Sequence, residues 1–164
     1  MLDHLLLLGK ILALLGIANG TPIIARKLLG DRFAQPLDGG FRWFDGRPLF
    51  GASKTIRGLT LSIACTALAA PLLGIEAVLG AGLASASMLG DLASSFVKRR
   101  LGLRPHSQAL GLDQVPESLL PLALLHQPLG LGPGDIAVLL VLFVLFEIVL
   151  SRLLYRLRIR ERPY

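Results

Sequence analysis

Five stretches of this chain are apolar over the length of a membrane helix, and its polar positions collect between them. They run from Leu5 to about Ile24, from about Ile56 to Leu73, from Ile75 to Val97, from Pro116 to Leu129 and from Ile136 to Tyr155. About twenty helical residues at 1.5 Å each cover the ~30 Å of bilayer hydrocarbon. The pattern therefore predicts an all-α polytopic membrane protein with about five transmembrane helices. The fourth stretch is the shortest, and Pro121 removes a backbone donor from its interior, which predicts a kink or an oblique entry. Met1-Leu2-Asp3-His4 lacks the basic flank of a secretory signal, so the first stretch is expected to be retained as a helix.

Composition agrees with this pattern. Of 164 residues 53% are hydrophobic, with a mean hydropathy of +0.65, more apolar surface than a soluble core of this size encloses. The single cysteine, Cys65, excludes a disulfide framework and a thiolate metal site, and its apolar setting points to packing. Gly80, Gly82, Ala84 and Ala86 suit close helix approach, either within the chain or between copies in a homo-oligomer.

Charge sets the expected orientation. Arg26, Lys27, Arg32, Arg42, Arg47, Lys54 and Arg57 fall in the first long connection. Lys98, Arg99, Arg100 and Arg104 fall in the next on that side, and Arg152, Arg156, Arg158, Arg160 and Arg162 at the C-terminal end. The connections around Gly74 and from His126 to Asp135 carry no Lys or Arg. Basic residues beside spans are retained in the cytoplasm, so an odd helix count places the N-terminus outside and the C-terminus inside. Residues 1–164 then form one transmembrane domain in the cell membrane, with a long cytoplasmic loop from about 25 to 56. Topology accounts for the net charge of +6 without nucleic acid, and the tail Arg156-Leu157-Arg158-Ile159-Arg160 suits anionic headgroups.

Three polar clusters carry the candidate chemistry. In the first, Asp91, Ser95 and Lys98 stand at i, i+4 and i+7, which on a helix puts a carboxylate, a hydroxyl and an ammonium on one face. A charge at that depth is costly, so Asp91 is either a functional group or an ion-pair anchor with Lys98 or Arg99. In the second, Asp113 opens the fourth helix and Glu117 follows one turn later. Capping accounts for Asp113, but not for a second carboxylate entering the membrane. Hard oxygen ligands beside basic groups suit a magnesium-bound phosphate. The third is the glycine- and aromatic-rich loop Asp38 to Gly58, expected to fold back on the membrane surface with Phe41, Trp43, Phe44 and Phe50 at the interface. There Lys54 and Arg57, three apart at a helix start, suit phosphate oxygens. Gly51-Ala52-Ser53-Lys54-Thr55 lacks the glycine that precedes lysine in a P-loop. Lys10 and Glu147, the charges left within spans, are expected to pair between helices.

Taken in order, Asn19-Gly20-Thr21-Pro22, Leu37-Asp38-Gly39-Gly40, Asp45-Gly46-Arg47-Pro48-Leu49-Phe50-Gly51, Lys54-Thr55-Ile56-Arg57-Gly58, Gly90-Asp91-Leu92, Ser94-Ser95-Phe96 with Lys98-Arg99-Arg100, and Leu112-Asp113-Gln114 resemble the CDP-archaeol synthase family of membrane cytidylyltransferases. The likeness covers nearly the whole chain. It implies a five-helix, Mg2+-requiring enzyme in which a lipid phosphate attacks the α-phosphate of CTP, giving a CDP-lipid and pyrophosphate for phospholipid biosynthesis. On the resemblance, Asp91 and Asp113 hold magnesium, and Lys54, Arg57, Lys98 and Arg99 balance triphosphate charge. Asn19 lines the nucleotide or headgroup pocket. Pro116 stands where the pattern has a second aspartate, leaving Glu117 as the substitute ligand, and Arg104-Pro105 stands where relatives using phosphatidate carry Lys-Asp. A CDP-alcohol phosphatidyltransferase would need an aspartate array that is absent here. The remaining alternative is a non-catalytic lipid-binding or transport subunit, in which the carboxylates are caps and ion pairs.

Overall fold

The computed structural model describes residues 2–103 and 111–157, and within them five α-helices and one short 3-10 turn. The helices are α1 (Leu2–Leu29), α2 (Ile56–Ala69, followed by the turn Pro71–Leu73), α3 (Ala77–Arg100), α4 (Gln114–Leu125) and α5 (Pro133–Arg156). Four segments are long and apolar enough to cross a membrane: α1, α2 with its turn, α3 and α5. The 12 residues of α4 reach about 18 Å, short of a bilayer. The fourth stretch expected from hydropathy is therefore a partial helix, its C-terminal end at Leu125 rather than Leu129. Arg104-Pro105 and the tail beyond Leu157 lie outside the described residues.

Buried apolar side chains from α1, α3, α4 and α5, among them Ile11, Leu15, Leu83, Leu122, Leu139 and Phe143, form one core. Glycines let the helices approach. A Cβ on Gly80 would meet Thr66 O of α2 at 2.9 Å, and one on Gly82 would meet Leu125 of α4 at 3.6 Å, so both serve packing within the chain. Cys65 is exposed on the outer face of α2.

The first helix runs further than expected, through Asn19-Gly20-Thr21-Pro22 to Leu29. Proline at 22 cannot donate to the carbonyl of Ala18, which in a helix interior is destabilising. The Ser62 hydroxyl of α2 donates to that carbonyl at 2.6 Å, so a neighbouring helix restores the missing bond. At the opposite end, His4 Nε2 lies 2.8 Å from Asp135 Oδ1, which puts the starts of α1 and α5 side by side. The other oxygen of Asp135 caps α5 by accepting from Gly132 N at 2.9 Å.

The expected Lys10 to Glu147 pair is not formed. The Lys10 ammonium lies 3.6 Å from where a Gly74 Cβ would stand, beside the turn after α2. Gly16 meets Phe146, so Glu147 sits about 9 Å further along α1 than Lys10. Depth was read from stretch boundaries that α1 overruns at its start.

Between α1 and α2 the chain makes two nested hairpins. Leu37 N donates to Lys54 O at 2.7 Å and Ile56 N to Gln35 O at 3.1 Å, closing the outer one; Trp43 N to Arg47 O at 2.8 Å and Leu49 N to Phe41 O at 3.0 Å close the inner one. Gly46 completes the tip turn at φ 74°, a value that a residue with a Cβ rarely adopts. Asp38 joins the two hairpins, since its carboxylate accepts from the amides of Gly40 (3.0 Å), Phe50 (2.9 Å) and Gly51 (2.9 Å). Partial burial pushes this carboxyl up, but the amide bonds from Gly51, Phe50 and Gly40 outweigh it and hold Asp38 below the usual aspartate value.

A folded-state value below the unfolded one means that Asp38 stabilises the loop above about pH 4 and that this support is lost as pH falls through the lower folded value. Hydrogen exchange at Gly40, Phe50 and Gly51, corrected for intrinsic rates, should be constant from pH 7 to 5 and accelerate below about pH 4. Asp38→Ala should accelerate it about tenfold at neutral pH. Unchanged protection in the variant would remove Asp38 from this role.

Candidate functional site

Five ionisable side chains meet where the C-terminal end of α3 packs on the start of α4 and on the residues leading into α2. The Lys54 ammonium contacts Asp91 Oδ2, and Lys98 Nζ lies 2.6 Å from Asp113 Oδ1. Asp91 and Glu117 are themselves in hydrogen-bond contact. Lys98, Asp113 and Glu117 are each under 10% exposed. Thr55 sets Lys54 in place by capping α2, its hydroxyl accepting from Gly58 N at 3.1 Å. Burial alone would lower the Lys54 ammonium, but Asp91, with Glu117 and Asp113 behind it, holds it above the usual lysine value, so it is charged at neutral pH.

Capping does not account for Asp113. Its side chain makes no cap bond to α4 and turns to Lys98, while Gln114 Oε1 takes the amide of Gly111 at 2.8 Å. Two carboxyl groups in contact, as Asp91 and Glu117 are, repel unless a proton or a cation lies between them. That pair fits a divalent ion that takes one or two protein carboxylates and completes its shell with phosphate oxygens and water. Among the described residues no three acidic, histidine or cysteine side chains converge as a ready-made cage.

Beside Asp91 opens a cavity of about 330 Å3 between the end of α1, the hairpin loop and the start of α2. Arg26, Asp31, Lys54, Arg57 and Asp91 supply its charge, and Pro22, Leu59, Met88 and Leu92 its apolar wall. Arg57 lines it, yet its Nη1 donates to Gly30 O at 3.0 Å and to Arg32 O, which ties the loop after α1 to α2. Asn19 stands apart from the cavity lining: its Nδ2 donates to Leu15 O and to Ser87 Oγ, each at 2.9 Å, joining α1 to α3 one turn before Asp91. Ser95 is buried one turn beyond Asp91, and Ser94 Oγ donates to Asp91 O at 2.9 Å. Arg99 is buried beneath Gly51, within reach of the charge of Asp113.

The clamp between the hairpin tip and α3 was not singled out from sequence. Arg47 Nη1 donates to the carbonyls of Arg99 (3.2 Å) and Arg100 (2.5 Å), capping the C-terminus of α3. Arg100 answers with Asp45 Oδ1 at 2.5 Å and Pro48 O at 2.6 Å. Trp43 packs edge-on against Phe96 at 5.7 Å, and the Arg100 guanidinium lies 5.0 Å from the Phe96 centroid. Phe41 and Phe44 stay exposed on the same loop. The only signal in the sequence was the Asp-Gly-Arg turn itself, which does not say what its charges meet.

Comparison with known proteins identifies the family. Residues 72–164 match the family model described as CarS-like: CDP-archaeol synthase. The CDP-archaeol synthase of Sulfurisphaera tokodaii is 32% identical over 90% of this chain and 84% of its own, and that of Pyrococcus furiosus is 32% identical over 90% of each. That of Aeropyrum pernix is 40% identical over 60% of this chain and 57% of its own. A solved structure, described as an intramembrane enzyme for archaeal membrane lipids biosynthesis, superposes with a TM-score of 0.70 at 32% identity, covering 87% of this chain and 90% of that one. With the family model spanning more than half its length and full-length relatives above 30% identity, the chain belongs to the CDP-archaeol synthase family.

Proposed function

We propose that this chain transfers a cytidylyl group from CTP to a membrane lipid phosphate, giving a CDP-lipid and pyrophosphate, with magnesium as cofactor. The observation that carries this reading is the cluster of partly buried Lys54 and Asp91 with buried Lys98, Asp113 and Glu117 at the end of the bundle where the basic loops gather. Capping and anchoring require no such convergence, so the non-catalytic alternative leaves it without a cause. The names of the relatives point to an ether-lipid phosphate as acceptor.

In this reading an oxygen of the lipid phosphate attacks the α-phosphorus of CTP, and the bond from that phosphorus to the bridging oxygen of pyrophosphate breaks. Asp91 and Glu117, with Asp113 beside them, hold the magnesium. The bound ion would neutralise the triphosphate and the charge that builds on the leaving pyrophosphate. Lys54 and Lys98, whose ammonium groups lie against Asp91 and Asp113, would bind phosphate oxygens. Arg99 and Arg57 add positive field, Ser95 adds a hydroxyl on the Asp91 face, and Asn19 holds α3 in register through Ser87. Such catalysis is positioning and electrostatic stabilisation. The positive-inside pattern supports five passes with the N-terminus outside and the site facing the cytoplasm, the fourth crossing, between α3 and α5, being completed by the short α4 and the residues after it.

Purified protein with α-labelled CTP, Mg2+ and a panel of phosphates, from phosphatidic acid to an archaeal diether phosphate, should give labelled CDP-lipid, with the diether preferred. Loss of a metal ligand removes several kcal/mol of transition-state stabilisation, so Asp91→Asn and Asp113→Asn should each cut kcat about a thousandfold with the fold intact. Lys54→Met should cost about a hundredfold. Near-normal turnover in either asparagine variant would refute that residue's role, and no labelled lipid from any acceptor would refute the reading.

A further inference from the structure

Where α3 meets α4, the two helices touch backbone to backbone. A Cβ built on Gly90 would fall inside the contact radius of the carbonyl of Pro116 and would stand 2.8 Å from Glu117 N. The residues that follow in the chain, Asp91 and Glu117, are the two whose carboxyls touch. Other small residues on α3 differ. Gly82 faces the flexible end of Leu125 at 3.6 Å, which accommodates a methyl, and Gly80 faces Thr66 O at 2.9 Å on α2, away from the carboxylates. Pro121 adds a further feature: it lacks the N–H that would engage the carbonyl of Glu117, so α4 is short one internal bond at the carboxylate-bearing residue. The position of Glu117 then depends on what its turn packs against, and that is Gly90.

We propose that Gly90 is a positioning residue for the cytidylyl transfer: the absence of its Cβ lets the Pro116–Glu117 peptide close on α3 and sets the spacing of the Asp91 and Glu117 carboxylates. The proposal rests on the reading that these carboxylates hold the cofactor. A methyl at position 90 meets a peptide carbonyl, which cannot rotate away as a side chain can, so the start of α4 must move off α3. A displacement of about 1 Å at a reacting centre costs about a hundredfold in rate.

The test compares Gly90→Ala with Gly82→Ala and Gly80→Ala in the full chain in detergent, reading Mn2+ affinity by electron paramagnetic resonance with CTP present, kcat, KM for CTP and Tm. Gly90→Ala should weaken Mn2+ binding about tenfold and lower kcat about a hundredfold while KM for CTP changes by less than about threefold. Gly82→Ala should match the parent, and Gly80→Ala should lower Tm with the Mn2+ affinity of the folded protein unchanged. Parental Mn2+ affinity and kcat in Gly90→Ala, or an equal loss of Mn2+ affinity in Gly80→Ala, overturns the proposal. A second measurement is independent of turnover. In a Cys65→Ser background, Asp91→Cys with Glu117→Cys should form a disulfide on mild oxidation, about tenfold more slowly when Gly90→Ala is added. Should Gly90→Ala not fold, the cysteine pair decides alone, and failure to bridge in the Gly90 chain overturns the proposal. A parent that transfers no cytidylyl group but bridges readily defeats the functional reading and leaves the packing claim standing.

Discussion

Placing three carboxylates and two ammonium groups between membrane helices is the constraint around which the rest of the structure is arranged. An unpaired charge at such depth costs several kcal/mol, and removing one member of a buried pair leaves the other uncompensated. The chain meets this by pairing Lys54 with Asp91 and Lys98 with Asp113, and by drawing those residues from three separate segments. The pairs leave Glu117 as a third acidic side chain, set against Asp91 and outside both ion pairs. A structural anchor has no need of that third carboxyl, whereas a site for a cation does. The pairs also hold both lysine side chains in place at the site.

The scaffold supports this arrangement from both sides. On one, the hairpin loop is pinned by Asp38 within itself and by Arg47, Asp45 and Arg100 to the end of α3, so Lys54 emerges from an ordered turn. On the other, glycines let α3 lie against α2 and α4 closely enough for short side chains to meet. The bond from Ser62 to the carbonyl left open by Pro22 shows the same economy, because in a membrane a vacant backbone group must find a partner inside the protein.

Much of this was legible from residue order. Hydropathy located every helix, and the i, i+4, i+7 spacing put Asp91, Ser95 and Lys98 on one helix, because those signals depend on local sequence alone. Helix ends were less legible. The first stretch reads to about Ile24, yet α1 continues to Leu29, and the donor that Pro22 lacks is supplied by α2, a tertiary fact. The span around Pro116 reads as a crossing helix, yet hydropathy averages over residues 126–129, which leave the helix. Pairing was the least legible. Lys10 and Glu147 looked like partners by depth, but Lys10 lies beside Gly74 while Glu147 follows Phe146, which packs at Gly16 further along α1. Asp113 read as a cap from its place at the start of α4, and the structure turns its side chain to Lys98 instead.

The central claim is that the Asp91 and Glu117 carboxylates form one cation site beside the cavity rimmed by Lys54. Anomalous scattering from Mn2+ in crystals grown with CTP tests it most directly. The account predicts a manganese peak within coordination distance of both carboxylates and of a phosphate oxygen. A manganese ion bound to the triphosphate elsewhere, with Asp91 still paired to Lys54, would contradict it.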